Sequence, residues 1–337
     1  MRHQVMARVR AAGIEERLLL PAYASRWSGA AVAVHRILSL PLQLAGPVRR
    51  LRVPCDAGPL SVITRGRDKL IEPLRSRLLG PATATEPEER RGLWNYKAPA
   101  QSEADLVLAE VHRWLAPRFR KAGWLIVPDA VRWKGAMERL PPPEPSRSLL
   151  DDLRKVRQGR YTMEHTTDRR DWDEFFATMV EPHAQARFGR QAWTPSRALS
   201  DGLARVGVLH LVLRDGVRVA GVCSVRHGDT LWLPLSGVSR GDPDLLRQGA
   251  GVAATSLTFE WARAQGCQVV DLGRTSPFLG DGIQQYKRKW GFEPVPDPLS
   301  HLVAVWIGSE AARQAFARQP VLVETGVGLE VYAGASP

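Results

Sequence analysis

The sequence predicts an α+β fold, a mixed β-sheet flanked by helices, in the second half of the chain. Three observations predict it. Between Val206 and Val238 three strand-like apolar runs are separated by Asp215-Gly216 and Gly228-Asp229, short hairpin turns that need positive φ. Helical and strand patterns then alternate as far as Ile307. With 337 residues, 44% hydrophobic and 24% charged, the chain is long enough for two ordinary domains with real cores. That composition excludes collagen, disorder and disulfide scaffolds.

In chain order, the most apolar stretch, Gly29 to Val48, contains His35, Arg36 and Pro41, which a membrane span would not tolerate. The start Met1-Arg2-His3-Gln4 leads into no uninterrupted apolar run, so no secretory signal is expected. Leu60–Thr64 reads as a strand and Pro81–Pro87 as a loop. Gln101–Ala122 reads as a helix, with Leu108, Val111 and Leu115 at helical spacing, Pro117 kinking or stopping it, and Gly123 past its end. Trp124–Val127 is a short buried strand. Pro141-Pro-Pro-Glu-Pro145 is stiff and unable to continue helix or sheet, which places a boundary between a basic domain 1–145 and a second domain 146–337.

Beyond it, Ser148–Gln158 and Asp171–Arg187 read as helices, the latter with Trp172, Phe175, Phe176 and Met179 on one side and Pro182 able to break it. The meander strands are Val206–Arg214, Val217–Arg226 and Thr230–Val238. Helix Gly251–Ala264, strand Gln268–Leu272, helix Gly282–Trp290 and strand His301–Ile307 complete one layer. No internal repeat is visible.

The formal charge is +12 and it is unevenly placed. Residues 1–150 hold 25 Lys+Arg against 14 Asp+Glu (net +11), and residues 151–337 hold 22 against 21 (net +1). Such a field favours acidic partners: nucleic acid, phosphorylated cofactors or acidic proteins. A base-composition bias is the alternative, since Arg outnumbers Lys 40 to 7. Cys55, Cys223 and Cys267 have no metal-site spacing, which fits a reducing cytoplasmic setting and no metal.

Two features carry chemistry. Gln248-Gly249-x-Gly251-x-Ala253 at a strand-to-helix junction lets backbone N–H groups meet a phosphate at a helix N-terminus; the alternative is a Gly-rich helix start with no ligand. Pro234 interrupts Leu231-Trp-Leu-Pro-Leu235, so that strand must carry an edge, bulge or splay. If it diverges from Val269–Leu272, backbone groups around Leu233, Leu235 and Ser236 can hold an extended amide-containing chain.

The element order, the Gln-x-x-Gly-x-Ala turn and Tyr286-Lys-Arg-Lys-Trp-Gly-Phe292 resemble the GNAT acyltransferase superfamily. More narrowly, Arg154–Arg160, His183-Ala-Gln-Ala-Arg187, Ala220-Gly221, Asp271-Leu-Gly273 and Lys287-x-x-Trp290-Gly291 resemble its FemAB-like branch, over about residues 146–300. The resemblance implies a tandem of two GNAT-like units with a degenerate first half. It departs from common GNAT enzymes at Lys287, where a tyrosine general acid is usual; Tyr286 stands one residue earlier. It departs from Fem transferases in keeping a phosphate turn.

The implied reaction is attack of an amine on an activated acyl carbon, with proton removal and donors for the oxyanion. Candidate proton carriers are His183, which shares a helix face with Arg187, together with Asp271, Tyr286 and Lys287; His210 and His227 read more readily as sheet-face residues. Arg274 can fork an acceptor carboxylate or a donor phosphate, Arg187 can assist, and Trp232 is a stacking or core residue. The expected donor is an acyl-phosphopantetheine thioester, on an acyl carrier protein by preference or on coenzyme A, with a small-molecule amine as acceptor. An aminoacyl-tRNA donor, and a non-catalytic binding module on the same scaffold, are the rival readings.

Overall fold

The computed structural model describes residues 28–44, 48–55, 58–80, 84–85, 104–189 and 194–334. The chain start and most of the Pro81–Pro87 loop lie outside the described residues. Among the described residues no helix is long and apolar enough to cross a membrane. The fold is α+β, with two large sheets flanked by helices.

In chain order the elements are α1 (Ser28–Leu44), β1 (Val48–Val53), β2 (Leu60–Arg65), α2 (Asp68–Leu79), β3 (Ala84–Thr85), β4 (Leu106–Val111), α3 (Ala116–Lys121), β5 (Leu125–Pro128) and β6 (Val131–Ala136). Then come α4 (Arg147–Gln158), β7 (Thr162–Thr166), α5 (Arg169–Phe175), a π turn (Phe176–Val180), α6 (Glu181–Phe188) and α7 (Arg197–Val206). The meander β8 (Val208–Arg214), β9 (Val217–His227) and β10 (Thr230–Val238) leads to α8 (Pro243–Gln248), α9 (Ala250–Ala264) and β11 (Val269–Thr275). Last are α10 (Gly282–Lys289), β12 (Glu293–Pro296), β13 (Leu302–Ile307), α11 (Glu310–Arg318), β14 (Val321–Glu324) and β15 (Leu329–Tyr332).

Contacts divide the chain into two units. Trp133–Gly273 with Lys287–Glu293 forms the meander unit; Val32–Arg132, Arg274–Tyr286 and the residues from Pro294 onward form the companion unit. The boundary expected at 145/146 therefore falls inside the meander unit. Pro141–Pro145 is a local brace there, with Pro142 packed 3.4 Å from the Cβ position of Gly291.

The meander unit's sheet runs β12-β6-β11-β10-β9-β8-β7. Its hairpins form as their turn residues require, with Asp215 at φ 52°, Gly216 at 77° and Gly228 at 61°. The companion sheet runs β3-β1-β2-β4-β13-β5.

Two expectations need correction. Residues 106–111 form strand β4 rather than part of a helix. Leu106 and Leu108 pack on one face with Leu74 and Phe316, while Val107, Ala109 and Val111 pack on the other with Trp124 and Ile126. A strand buried on both faces shows no alternation, and a short apolar run then matches helical spacing by accident. The strand expected at His301–Ile307 exists as β13, but it lies between β4 and β5 and not in the meander sheet.

Candidate active site in the meander unit

The first site element is a break in the sheet. β10 and β11 pair in parallel at Thr230–Val269, Leu231–Val270 and Trp232–Asp271, and there the pairing ends although both strands continue. On its other side β10 gains one residue against β9, between Trp232–Val225 and Leu235–Cys223. Pro234 sits in that bulge, where its missing N–H costs no ladder bond. Past Trp232, Leu233, Leu235 and Ser236 thus line a strand edge with no β11 partner among the described residues.

The second element carries His183. Strand β10 has Gly237 where a Cβ would stand 2.5 Å from the carbonyl of Met179, so only glycine lets the π turn lie this close. That contact sets α6 beside the end of β10. His183 is half-buried, and its Nδ1 is buried without a hydrogen-bond partner among the described residues. Burial first, and the Arg187 guanidinium second, hold its imidazole below the ordinary range. It is therefore neutral at pH 7 and able to accept a proton. Arg187 itself is exposed.

The third element is the glycine turn. Its approach differs from expectation: helix α8, capped by Asp242 with Pro243 in its first turn, separates the strand from the turn. Gly249 joins α8 to α9 at φ 97°, ψ 15°, a conformation that suits glycine. No side chain caps the start of α9. A Cβ at Gly251 would meet only Leu246 and Val238 side chains, at 3.6 and 3.8 Å, so the fold alone does not demand glycine there. The Lys155 Cβ lies 3.2 Å from the Cβ position of Gly249, and Arg214 donates to the Gln248 side chain. Tyr161 Oη donates to the Gln248 carbonyl at 3.1 Å. Ala253 N–H donates to the Gly249 carbonyl at 2.8 Å, so it closes the first helical turn and is not available to a ligand.

The end of β11 is held from within. Asp271 is fully buried and its Oδ1 accepts from Gly273 N–H at 2.8 Å. Lys287, also buried, donates through Nζ to the carbonyls of Leu272 (2.8 Å) and Gly273 (3.1 Å). Tyr286 is one residue earlier on α10, rotated by roughly 100° about the helix axis, and does not share that direction. Trp232 is buried, the core alternative for that residue.

Other candidates are brought elsewhere. His210 has no exposed surface; Nδ1 lies 2.8 Å from His165 Nδ1 and Nε2 2.7 Å from Ser224 Oγ. Burial, then the positive character of His165, pushes it down to about 3. His227 is exposed beside the hairpin turn. Arg274 belongs to the companion unit, where its guanidinium meets Asp129 at 3.3 Å and Asp297 at 2.5 Å. Its fork is engaged by carboxylates of its own chain. Among the described residues no cluster of His, Cys, Asp or Glu suits a metal ion.

Sequence reasoning missed Lys155, Arg214 and the π turn. Lys155 and Arg214 could not be placed because each reaches the glycine turn from a distant element; a π turn has no sequence signal in Phe176–Val180.

A family model described as an acetyltransferase (GNAT) domain matches residues 146–288. No curated protein matches the chain significantly. Solved structures similar to it include the C-terminal domain (DUF2156) of a putative lysylphosphatidylglycerol synthetase from Agrobacterium fabrum. That structure is 12% identical, with 90% of this chain and 94% of the other covered and a TM-score of 0.41. The GCN5-related N-acetyltransferase from Sphaerobacter thermophilus is 19% identical over 62% of this chain and 60% of its own, with a TM-score of 0.34. FemX is 13% identical over 76% and 84%, with a TM-score of 0.40.

Proposed function

We propose, from the match of residues 146–288 to an acetyltransferase (GNAT) domain, that the chain moves an acyl group from a phosphopantetheine thioester to an amine. The observation that supports this most is the parting of β10 from β11 after Trp232 and Asp271. An arm built of amides can pair with the opened edge at Leu233, Leu235 and Ser236 as an added strand would.

The glycine turn suits the other end of such an arm. Gln248, Gly249 and Gly251 would hold its phosphate at the uncapped start of α9, with the Arg214 guanidinium close by on the Gln248 side chain. The thioester supplies an activated acyl carbon. His183, kept neutral by burial, takes the proton from the attacking amine; as the tetrahedral intermediate collapses, the C–S bond breaks and the pantetheine sulfur leaves as a thiol carrying that proton. Backbone N–H groups at the bulge donate to the oxyanion. Asp271 and Lys287 fix the end of β11 that faces this edge, so both act as positioning residues. Arg187 is the remaining candidate for an acceptor carboxylate, and Tyr286 and Arg274 are given no role.

Between thioesters we favour a carrier protein over coenzyme A, because the excess of +11 over residues 1–150 suits a large acidic donor. Arg50 and Arg52 are exposed on β1, whereas Arg49 is tied to Asp68 at 2.8 Å. Carrier-bound acyl groups should therefore react with higher kcat/KM than the matching acyl-coenzyme A, and the advantage should shrink with salt as screening falls to about 10 Å at 0.1 M.

The decisive experiment offers the full chain acyl-coenzyme A, acyl carrier protein and charged tRNA with a panel of amines, reading amide product by mass. A thioester-dependent amide that falls roughly 10²–10⁴-fold in kcat in His183→Gln, at unchanged stability, is expected. Product from charged tRNA alone would replace the donor, and no product from any donor would refute transferase function.

A further inference from the structure

Helix α1 carries its side chains in the reverse of the usual order for a surface helix. Ala31 and His35 are buried, while Ala30, Ala33, Val34 and Ile37 are exposed. Those exposed positions are spaced i, i+3, i+4 and i+7, so they form one stripe along the helix. The outward stripe of a surface helix ordinarily holds charged and polar residues. This one holds none, and Ile37 keeps 60% of its surface open.

The stripe has a neighbour of related character. His112, just past β4, places Nε2 3.2 Å from the Arg36 carbonyl, and its ring meets that of Trp114 at 4.6 Å between centroids. One buried imidazole therefore joins the backbone beside Ile37 to an indole that is itself 60% exposed. Trp114 leads into α3, where Ala116 is buried and Phe119 packs on Trp124 at 5.3 Å. That leaves Arg118 and Lys121, three residues apart, exposed on the outer side. Residues 111–128 hold Arg113, Arg118, Arg120 and Lys121, residues 28–44 hold Arg36, and neither stretch contains an Asp or Glu. Glu324 neutralises Arg113 at 2.7 Å. Among the described residues no ion pair engages Arg118, Arg120 or Lys121.

Charge and side-chain type together decide what covers this face. A protein partner is held in register by charges of both signs, and cations alone supply no register. They suit a partner that is anionic throughout, either a nucleic acid or an anionic bilayer. A nucleic acid could stack on Trp114, but Val34 and Ile37 have no π face to offer its bases. At a bilayer surface every one of these groups has a place. Aliphatic side chains enter the acyl boundary, an indole sits at headgroup level, and Lys and Arg lie in the negative surface potential. From this combination we propose that the outer face of α1 and the Trp114 corner dock the protein on the surface of an anionic lipid bilayer. The cations act through the potential of the whole surface, so no single headgroup needs a seat.

The test mixes the full chain with vesicles of phosphatidylcholine, alone or with phosphatidylglycerol, and reads co-sedimentation. Binding that needs phosphatidylglycerol and declines with salt is expected. Val34→Ser combined with Ile37→Ser should weaken it roughly tenfold, and Lys121→Glu about fivefold or more. Val217→Ser, at an exposed valine in the meander unit, should change nothing. All these positions are exposed, so circular dichroism should show an unchanged fold. Brominated acyl chains should quench part of the tryptophan emission, and that part should vanish in Trp114→Phe, which keeps an aromatic anchor. Absence of binding to either vesicle, or binding that the Val34 and Ile37 replacements leave intact, would overturn the proposal. Retention on RNA without retention on vesicles would overturn it in favour of a nucleic acid. A dimer that Ile37→Ser dissociates, with no vesicle binding, would overturn it in favour of a second copy on the stripe.

Discussion

Replacing His210 tests whether the interior of the meander sheet stays closed to protons. Unfolded, its imidazole titrates near 6.5; folded, burial and His165 push it to about 3. Below pH 6.5 the unfolded chain binds a proton that the folded chain refuses, so stability falls as pH falls, until about pH 3. At about 1.4 kcal/mol per pH unit, the 1.5 units between 6.5 and pH 5 cost about 2 kcal/mol. That is a large part of the ~5–15 kcal/mol that holds a domain folded. The assay is urea unfolding at pH 7 and pH 5, for the wild type and His210→Gln, followed by tryptophan fluorescence. Both proteins share every other titrating group, so the difference between their pH-dependent losses isolates His210. Its neighbour His165, also held low by burial, is present in both proteins, so its share cancels in the difference. The wild type should lose about 2 kcal/mol more than the variant over this interval. Equal losses would mean that His210 protonates in place, and the argument from burial would be wrong.

Three further outcomes are expected at the candidate site. Gly251→Asp adds bulk and like charge where only Leu246 and Val238 now approach, and should raise the donor KM in a folded protein; unchanged donor kinetics would leave the turn without a ligand. Gly237→Ala drives a methyl into the Met179 carbonyl at 2.5 Å, so the π turn must shift and carry α6 with it. It should lower kcat through misplaced His183 and cost about 1–3 kcal/mol in unfolding; full activity would detach His183 from the reaction. Lys287→Met strands the carbonyls of Leu272 and Gly273, for a loss of about 1–3 kcal/mol. As a positioning residue Lys287 should affect kcat without changing the pH profile; loss of one limb of that profile would make it a proton carrier instead.

Much of the meander unit was legible because its signals are local. Asp215-Gly216 and Gly228-Asp229 specify hairpins with no help from the rest of the chain, and Pro234 announces a defect that the β10 bulge supplies. The companion unit was not, because its pairings join distant segments. Nothing in Leu302–Ile307 says that its neighbours are residues 106–111 and 125–128. The signal for α8 was present and unread: Asp242-Pro243 is an N-cap followed by a proline in the first turn. For the site, the glycine turn and the splayed strand were readable from residue types, while Lys155 and Arg214 depend on packing that no spacing encodes. Arg274 looked available only because Asp129 and Asp297 are far from it in sequence.

The chain leaves the meander unit at Gly273, returns at Lys287 and leaves again after Glu293. Strand β11 and helix α10 are therefore each divided partway along their length. No single cut in the gene yields either unit whole, and a fragment starting at residue 146 would lack all of β6 and strip β13 of both flanking strands. Such interleaving has a consequence for inheritance. An exchange of one contiguous stretch of gene can carry the meander unit whole only together with its companion.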